Sequence, residues 1–101
     1  MLYTYTAVIT EENGTFCAKV PDVNGCITTA SSFTEATALI TDALCLCLVC
    51  LEDEGITPKQ PTPQTIIPHM QTDILIIIEA DTIKYRSVIK KKVIRGNVSV
   101  T

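Results

Sequence analysis

Basic side chains are scarce in most of this sequence. The first 83 residues hold only Lys19 and Lys59 against eleven carboxylates, a balance of −9. Carboxylates are in turn absent after Asp81, and the last 18 residues carry Lys84, Arg86, Lys90, Lys91, Lys92 and Arg95, a balance of +6. The formal net charge of −3 therefore describes neither part. An acidic body with a basic tail predicts two kinds of partner, one basic and one anionic. The N-terminus, Met1-Leu2-Tyr3-Thr4-Tyr5, lacks the basic, apolar and cleavage regions of a secretory signal. The longest charge-free apolar run, Ala43 to Leu51, has nine residues, against the ~20 that a membrane span needs. A soluble, cytoplasmic protein with no membrane association is expected.

Catalytic patterns are also missing. His69 is the single histidine, sits beside Pro68 and has no carboxylate near it in sequence, so it reads as an exposed loop residue rather than a general base. No spacing matches a Ser-His-Asp arrangement, a phosphate-binding loop or a dinucleotide-binding glycine motif. No repeat of ~20–50 residues is visible. The five cysteines, Cys17, Cys26, Cys45, Cys47 and Cys50, are an odd set without secretory context, which favours reduced, buried thiols. Cys45, Cys47 and Cys50 cannot share one metal ion on a helix, where Cys45 and Cys47 lie about 160° apart. No metal, no cofactor and no catalytic residue is expected.

What is present is enough for one domain: 101 residues, 47% hydrophobic and 19% charged, too apolar for disorder. Tyr3 to Thr10 alternates Tyr3, Tyr5, Ala7 and Ile9 with more polar positions, the period of a half-buried strand. Glu11-Glu12-Asn13-Gly14 is a hairpin signal, and Thr15 to Val20 is a second strand ended by Pro21. A turn over Pro21 to Gly25 leads to a short strand from Cys26 to Ala30. Ser32 and Glu35 form a capping box that opens a helix reaching about Glu54, with Gly55 as its stop. Phe33, Ala36, Leu39, Ile40, Ala43, Leu44, Cys47 and Leu51 make the stripe expected to cover the sheet.

The other side of that helix, around Cys45, Leu46, Val49 and Cys50, is apolar too, so it is expected to pack on later elements or on another subunit. The segment from Ile56 to Thr72 holds four prolines and reads as an extended connector. Asp73 to Ala80 is a strand apolar on both faces, expected inside the sheet or at a subunit interface. The resulting βββαβ order gives an α+β domain, an antiparallel sheet with one helix packed on a face.

Tyr5 through Glu54 resembles the HicB family of bacterial antitoxins. The resemblance rests on the Glu11-Glu12-Asn13-Gly14 turn, on Val20-Pro21-Asp22-Val23-Asn24-Gly25-Cys26, and on Phe33-Thr34-Glu35-Ala36 opening a helix that ends Leu51-Glu52-Asp53-Glu54-Gly55. It implies a partial RNase H-like domain without ribonuclease activity. Its expected function is the antitoxin role in a type II toxin–antitoxin system: binding and neutralising a HicA-like toxin, a small basic ribonuclease that cleaves mRNA. Family members usually add a C-terminal DNA-binding domain, ribbon-helix-helix or helix-turn-helix, that represses the operon. Residues 1–83 are accordingly expected to be the toxin-binding domain, and 84–101 a basic linker plus the first strand of a ribbon-helix-helix module.

Candidate residues follow from these expectations. Glu52, Asp53, Glu54, Asp73, Glu79 and Asp81 are acids that suit a basic toxin, although Glu52 to Glu54 read equally as a solvated, helix-stopping cluster. Ile94, Val98 and Val100 alternate with Arg95, Asn97, Ser99 and Thr101. This is the pattern of a strand that could place a polar face in the major groove, with Lys90, Lys91 and Lys92 upstream for phosphates. A solvated basic tail is the other reading. Cys45, Leu46, Val49, Cys50, Ile76 and Ile78 are expected to form the interface of a homodimer or higher oligomer. The chain ends at Thr101, where the helices of the DNA-binding fold would begin, so it is expected to be shorter than the full function requires. Two rivals remain: a scaffold of the same family without a toxin, and a metal-dependent nuclease using Glu79, Asp81 and Asp22.

Overall fold

Asn13 and Gly14 decide the first turn. Both take positive φ, 54° and 81°, as the tightest hairpin turns require and as Asn-Gly supplies at little cost. They join β1 (Leu2–Glu12) to β2 (Thr15–Lys19) with Glu12 opposite Thr15. In the computed structural model, which describes residues 2–88, β2 then pairs with β3 (Ile27–Ala30), placing Phe16 opposite Ala30.

The helix α1 (Phe33–Asp53) starts at Ser32, whose Oγ accepts the Glu35 N–H at 3.1 Å. The Glu35 carboxylate reaches back to the Ser31 N–H at 3.0 Å, one residue beyond the usual box. At the far end Gly55 takes φ 72°. The Gly55 and Ile56 N–H groups then return to the Glu52 and Leu51 carbonyls, which caps the helix.

The expected βββαβ fold is what forms: a four-stranded antiparallel sheet in the order β3-β2-β1-β4 with α1 across one face. The strand β4 (Ile74–Asp81) lies beside β1, with Leu2 opposite Asp81 and Ile9 opposite Ile74. It is therefore an edge strand: of the two places expected for so apolar a run, inside the sheet or at a subunit interface, the first is corrected. The tight hairpin already fills one side of β1, and the connector returns the chain to the other, open side.

Ala36, Ile40, Leu44 and Leu48 of α1 meet Tyr5, Ala7, Ile9, Ala18, Ile78 and Ala80 of the sheet in one core. The fourfold spacing on the helix is the helical repeat, and the alternation on β1 is the strand repeat. Alanines at 7, 18 and 80, all fully buried, leave room for the helix to approach closely. Phe33 and Leu39, expected in the stripe, lie largely outside it at 36% and 42% exposure. By length and composition α1 is apolar enough to cross a membrane, with 21 residues and a mean hydropathy of 1.8. Within the fold, Ala36, Ile40, Leu44, Cys45, Leu48 and Val49 of this helix are buried.

On the opposite face Thr6, Val8 and Ile67 are also buried. The connector is tied down by Asp22 near its start and by Thr10 near its end, and it includes a 3-10 turn at Gln64–Ile66. After β4, residues 82–88 are helical. The Asp81 carboxylate caps this segment by accepting from the Ile83 and Lys84 N–H groups at 3.1 and 3.2 Å.

Candidate functional site

The strand register gathers five of the six candidate acids at one end of the molecule. Asp81 and Glu79 pair with Leu2 and Thr4 at the start of β1, and the neighbouring Tyr3 donates its hydroxyl to Glu52 at 2.8 Å. Asp53 and Glu54 follow Glu52 at the end of α1 and the residue that caps it. Asp73 stands apart, bonded to Thr10 and the Met70 N–H, about 25 Å from Asp81 along an extended strand.

Most of these acids are engaged within the fold. Glu52 Oε2 accepts from Tyr3 and from the Thr82 hydroxyl at 2.9 Å, while Oε1 accepts from Arg86 at 3.1 Å. Burial pushes the Glu52 carboxyl up, but the bonds from Tyr3, Arg86 and Thr82 outweigh it and hold its pKa below the ordinary value. Asp53 pairs with the same guanidinium at 2.9 Å. Asp81 is a helix cap. Among the described residues, the Glu54 and Glu79 side chains make no hydrogen bond or ion pair, and both are exposed. An open cleft of about 830 Å³ adjoins this end, lined by Tyr3, Tyr5, Glu52, Pro58 and Pro61 among others.

Asp22, weighed as a nuclease ligand, is an anchor. Its side chain is 4% exposed and pairs with Lys59 at 3.1 Å. It also accepts the Thr62 N–H and hydroxyl, each at 2.6 Å. Burial raises the carboxyl, and the bonds from Thr62 and Lys59 more than offset it, so the net shift is downward. The Tyr5 hydroxyl donates to the Lys59 carbonyl beside it. Among the described residues no group of three or more His, Cys, Asp and Glu side chains is placed to hold a metal. His69 is exposed, with Nδ1 2.7 Å from the Ile67 carbonyl.

The expected oligomer residues split. Cys45, Val49 and Ile78 are buried within the chain and Ile76 is partly buried against the core, whereas Leu46 and Cys50 are exposed. The helical residues 82–88 account for part of this cover, since Arg86 donates to the Val49 carbonyl at 3.3 Å and Tyr85 packs on the core. Cys26 is buried, and burial together with the neighbouring Cys47 pushes its thiol up to about 12. Lys90, Lys91, Lys92, Arg95, Asn97 and Ser99 lie outside the described residues. Sequence reasoning missed Tyr3, Thr82 and Arg86 as partners of Glu52, and Thr62 as the partner of Asp22. Asp22 itself is marked by its Pro-Asp-x-x-Gly turn, but nothing local names a partner 40 residues away.

The family model of HicB-like antitoxins of bacterial toxin–antitoxin systems matches residues 5–101. The chain belongs to this family. Among solved structures, the fold resembles the HicA3 and HicB3 toxin–antitoxin complex, at 24% identity and TM-score 0.61, over 78% of this chain and 99% of the other. A toxin–antitoxin complex from Streptococcus pneumoniae has TM-score 0.73 at 18% identity, over 84% of this chain and 73% of the other. The HicB3 antitoxin is 25% identical with TM-score 0.65, over 82% of this chain and 65% of the other. No curated protein matches the sequence.

Proposed function

We propose that this HicB-like chain neutralises a HicA-like ribonuclease toxin in the cytoplasm by docking on it and occluding its RNA-binding or catalytic surface. The observation that carries the reading is the family match over residues 5–101, on a fold shared with antitoxins solved in complex with their toxins. The role is one of binding, not catalysis. The acidic end is the docking surface, with Glu54 and Glu79 as its free charges and Glu52, Asp53 and Asp81 adding to the field while they hold the fold. Complementary charge of this kind speeds association with a basic partner and selects it.

Operon repression belongs to the same reading. The basic tail, with Lys90, Lys91, Lys92, Arg95, Asn97 and Ser99, would contribute to a ribbon-helix-helix reader of operator DNA in a complete, dimeric form. Exposed Leu46 and Cys50 remain candidates for contact between protomers.

Co-expression tests the toxin reading directly. A short basic protein encoded beside this chain is the expected toxin; expressed alone it should arrest growth, and this chain should relieve the arrest and co-purify with it. Glu54→Lys combined with Glu79→Lys is expected to weaken co-purification without loss of fold. Growth arrest that this chain does not relieve would overturn the proposal.

A further inference from the structure

Two cysteines meet where α1 crosses the turn between β2 and β3. Cys26 closes that turn: its N–H donates to the Val23 carbonyl at 3.2 Å, and its carbonyl accepts the Val20 N–H at 3.0 Å. Its side chain is 2% exposed and belongs to the core. Cys47 packs against the same core from the helix, in a row with Ala43 and Leu51. The two thiols are hydrogen-bonding neighbours. Cys47 is only half-buried, and it lines a groove of about 480 Å³ between α1 and the turn, with Val23 and Asn24 on the other wall. A small oxidant thus has a path to one sulfur, and the second stands directly behind it.

The other cysteines do not compete for this contact. Cys17 lies on the far face of β2, since its neighbour Ala18 faces the core. Cys45 and Cys47 lie about 160° apart around the helix. Cys50 follows Cys47 by one turn and lines the same groove. On a helix, however, Cβ atoms three residues apart are separated by about 5–6 Å, whereas a disulfide needs about 3.5–4.5 Å. Cys26, on a different element, is free of that restriction.

We propose that Cys26 and Cys47 form a peroxide-sensitive dithiol, whose reversible disulfide staples α1 to the β2–β3 turn. In the first step the Cys47 thiolate attacks hydrogen peroxide. The O–O bond breaks, the sulfur keeps one oxygen as a sulfenic acid, and the other leaves as hydroxide and is protonated to water. In the second step the Cys26 sulfur attacks the Cys47 sulfur. The S–S bond forms as the S–O bond breaks, and the Cys26 proton leaves with the departing hydroxide as water. Two thiols thus give two electrons to one peroxide, and a dithiol reductant reverses the bond by exchange. Burial, together with Cys47, raises the Cys26 thiol to about 12, which keeps it protonated at rest. Cys47 is therefore the sulfur that meets the oxidant, and Cys26 the one that resolves it. The bond closes a loop through β3 and much of α1, which restricts the unfolded chain and favours the fold. None of this rests on the toxin reading.

The test is mild hydrogen peroxide treatment of the full chain, native and in urea, then blocking of free thiols, cleavage after Glu35 and mass mapping. That cleavage separates Cys26 from the helix cysteines. The expected native product has lost two hydrogens and links the Cys26 fragment to Cys47, and dithiothreitol restores the reduced mass. Cys47→Ala is expected to abolish the link while circular dichroism stays unchanged, and Cys50→Ser to leave it intact. The unfolded chain should instead join the close cysteines of α1, because short loops close more readily. The linked form should unfold at higher urea than the reduced one. Native oxidation that adds oxygen to Cys50 and leaves Cys26 a free thiol overturns the proposal, as does a link from Cys47 to Cys50 or to a second chain. It also fails if Cys26 is linked equally well in urea, or if the linked form unfolds at lower urea than the reduced protein.

Discussion

The Arg86 guanidinium lies 3.1 Å from the Glu52 carboxylate, joining the helical segment after β4 to the end of α1. Glu52 sits where the negative end of a helix dipole disfavours a carboxylate, and Arg86, with Tyr3 and Thr82, supplies the compensating donors. The acidic body and the first cations of the basic tail are thus one interlocked unit. The same contact decides which acids are left for a partner, since it occupies Glu52 and Asp53 and leaves Glu54 outside.

Removing the two partners has unequal effects. Arg86 is 39% exposed on its side chain, so solvent screening leaves Arg86→Ala only a small cost, below that of Glu52→Ala. Glu52→Ala removes the acceptor that Tyr3, Thr82 and Arg86 share and is expected to cost about 1.5–3 kcal/mol. Urea unfolding of both variants checks the order. Equal effects would mean that the carboxylate contributes nothing beyond its ion pair.

Asp22→Ala is expected to be the more damaging carboxylate substitution, at about 2–3 kcal/mol, because it removes charge-assisted bonds at a buried position. Thr62→Val, which keeps the backbone bond, is expected to cost about 1 kcal/mol. Limited proteolysis supplies a second readout: cleavage between residues 56 and 72 should accelerate in Asp22→Ala, since that bond ties the connector to the β2–β3 turn.

Stability is expected to fall at both extremes of pH. Glu52 and Asp22 have folded pKa values below their ordinary ones, so their contribution is present above the unfolded value, about 4, and lost as pH drops through the folded value. Cys26 and Tyr85 are raised to about 12 by burial, with Cys47 and Asp42 as their respective neighbours. Their contribution is complete below the unfolded values and lost as pH climbs from about 9 toward 12. Thermal unfolding across pH should trace a plateau between these limits, and Asp22→Asn should flatten its acid side.

The sequence made the local devices legible and left the long-range ones hidden. Asn13-Gly14, Ser32 with Glu35, and Gly55 each act within a few residues, so their chemistry can be read from a short window. The placement of β4 at the edge depends on which strand had a free side, and that is a property of the assembled sheet. The acids were legible as a cluster, but their division into Glu52, Asp53 and Asp81 on structural duty and Glu54 and Glu79 in solvent was not. It turns on Tyr3, Thr82 and Arg86, which lie 30 or more residues from Glu52.

The cysteines divide by exposure. Cys50 is exposed and Cys26 is buried with a raised thiol pKa, and it is the exposed thiolate that reacts. Iodoacetamide at mildly alkaline pH should label Cys50 on the native protein and Cys26 only after unfolding. Mass mapping that finds Cys26 labelled first would contradict its burial beneath α1.

The facing of α1 can be tested with two leucines of one sequence context. Leu46 and Leu48 both lie in the run from Ala43 to Leu51 that is apolar on every side, so composition cannot tell which of them meets the sheet. Leu48 is fully buried and Leu46 is 48% exposed. Leu48→Ala is expected to cost about 2.5–5 kcal/mol, the loss of transfer energy plus a cavity, and Leu46→Ala less than about 1 kcal/mol. Urea unfolding of the two variants measures the difference. Similar losses at both positions would mean that Leu46 is covered too, in solution, by a surface absent from the monomer.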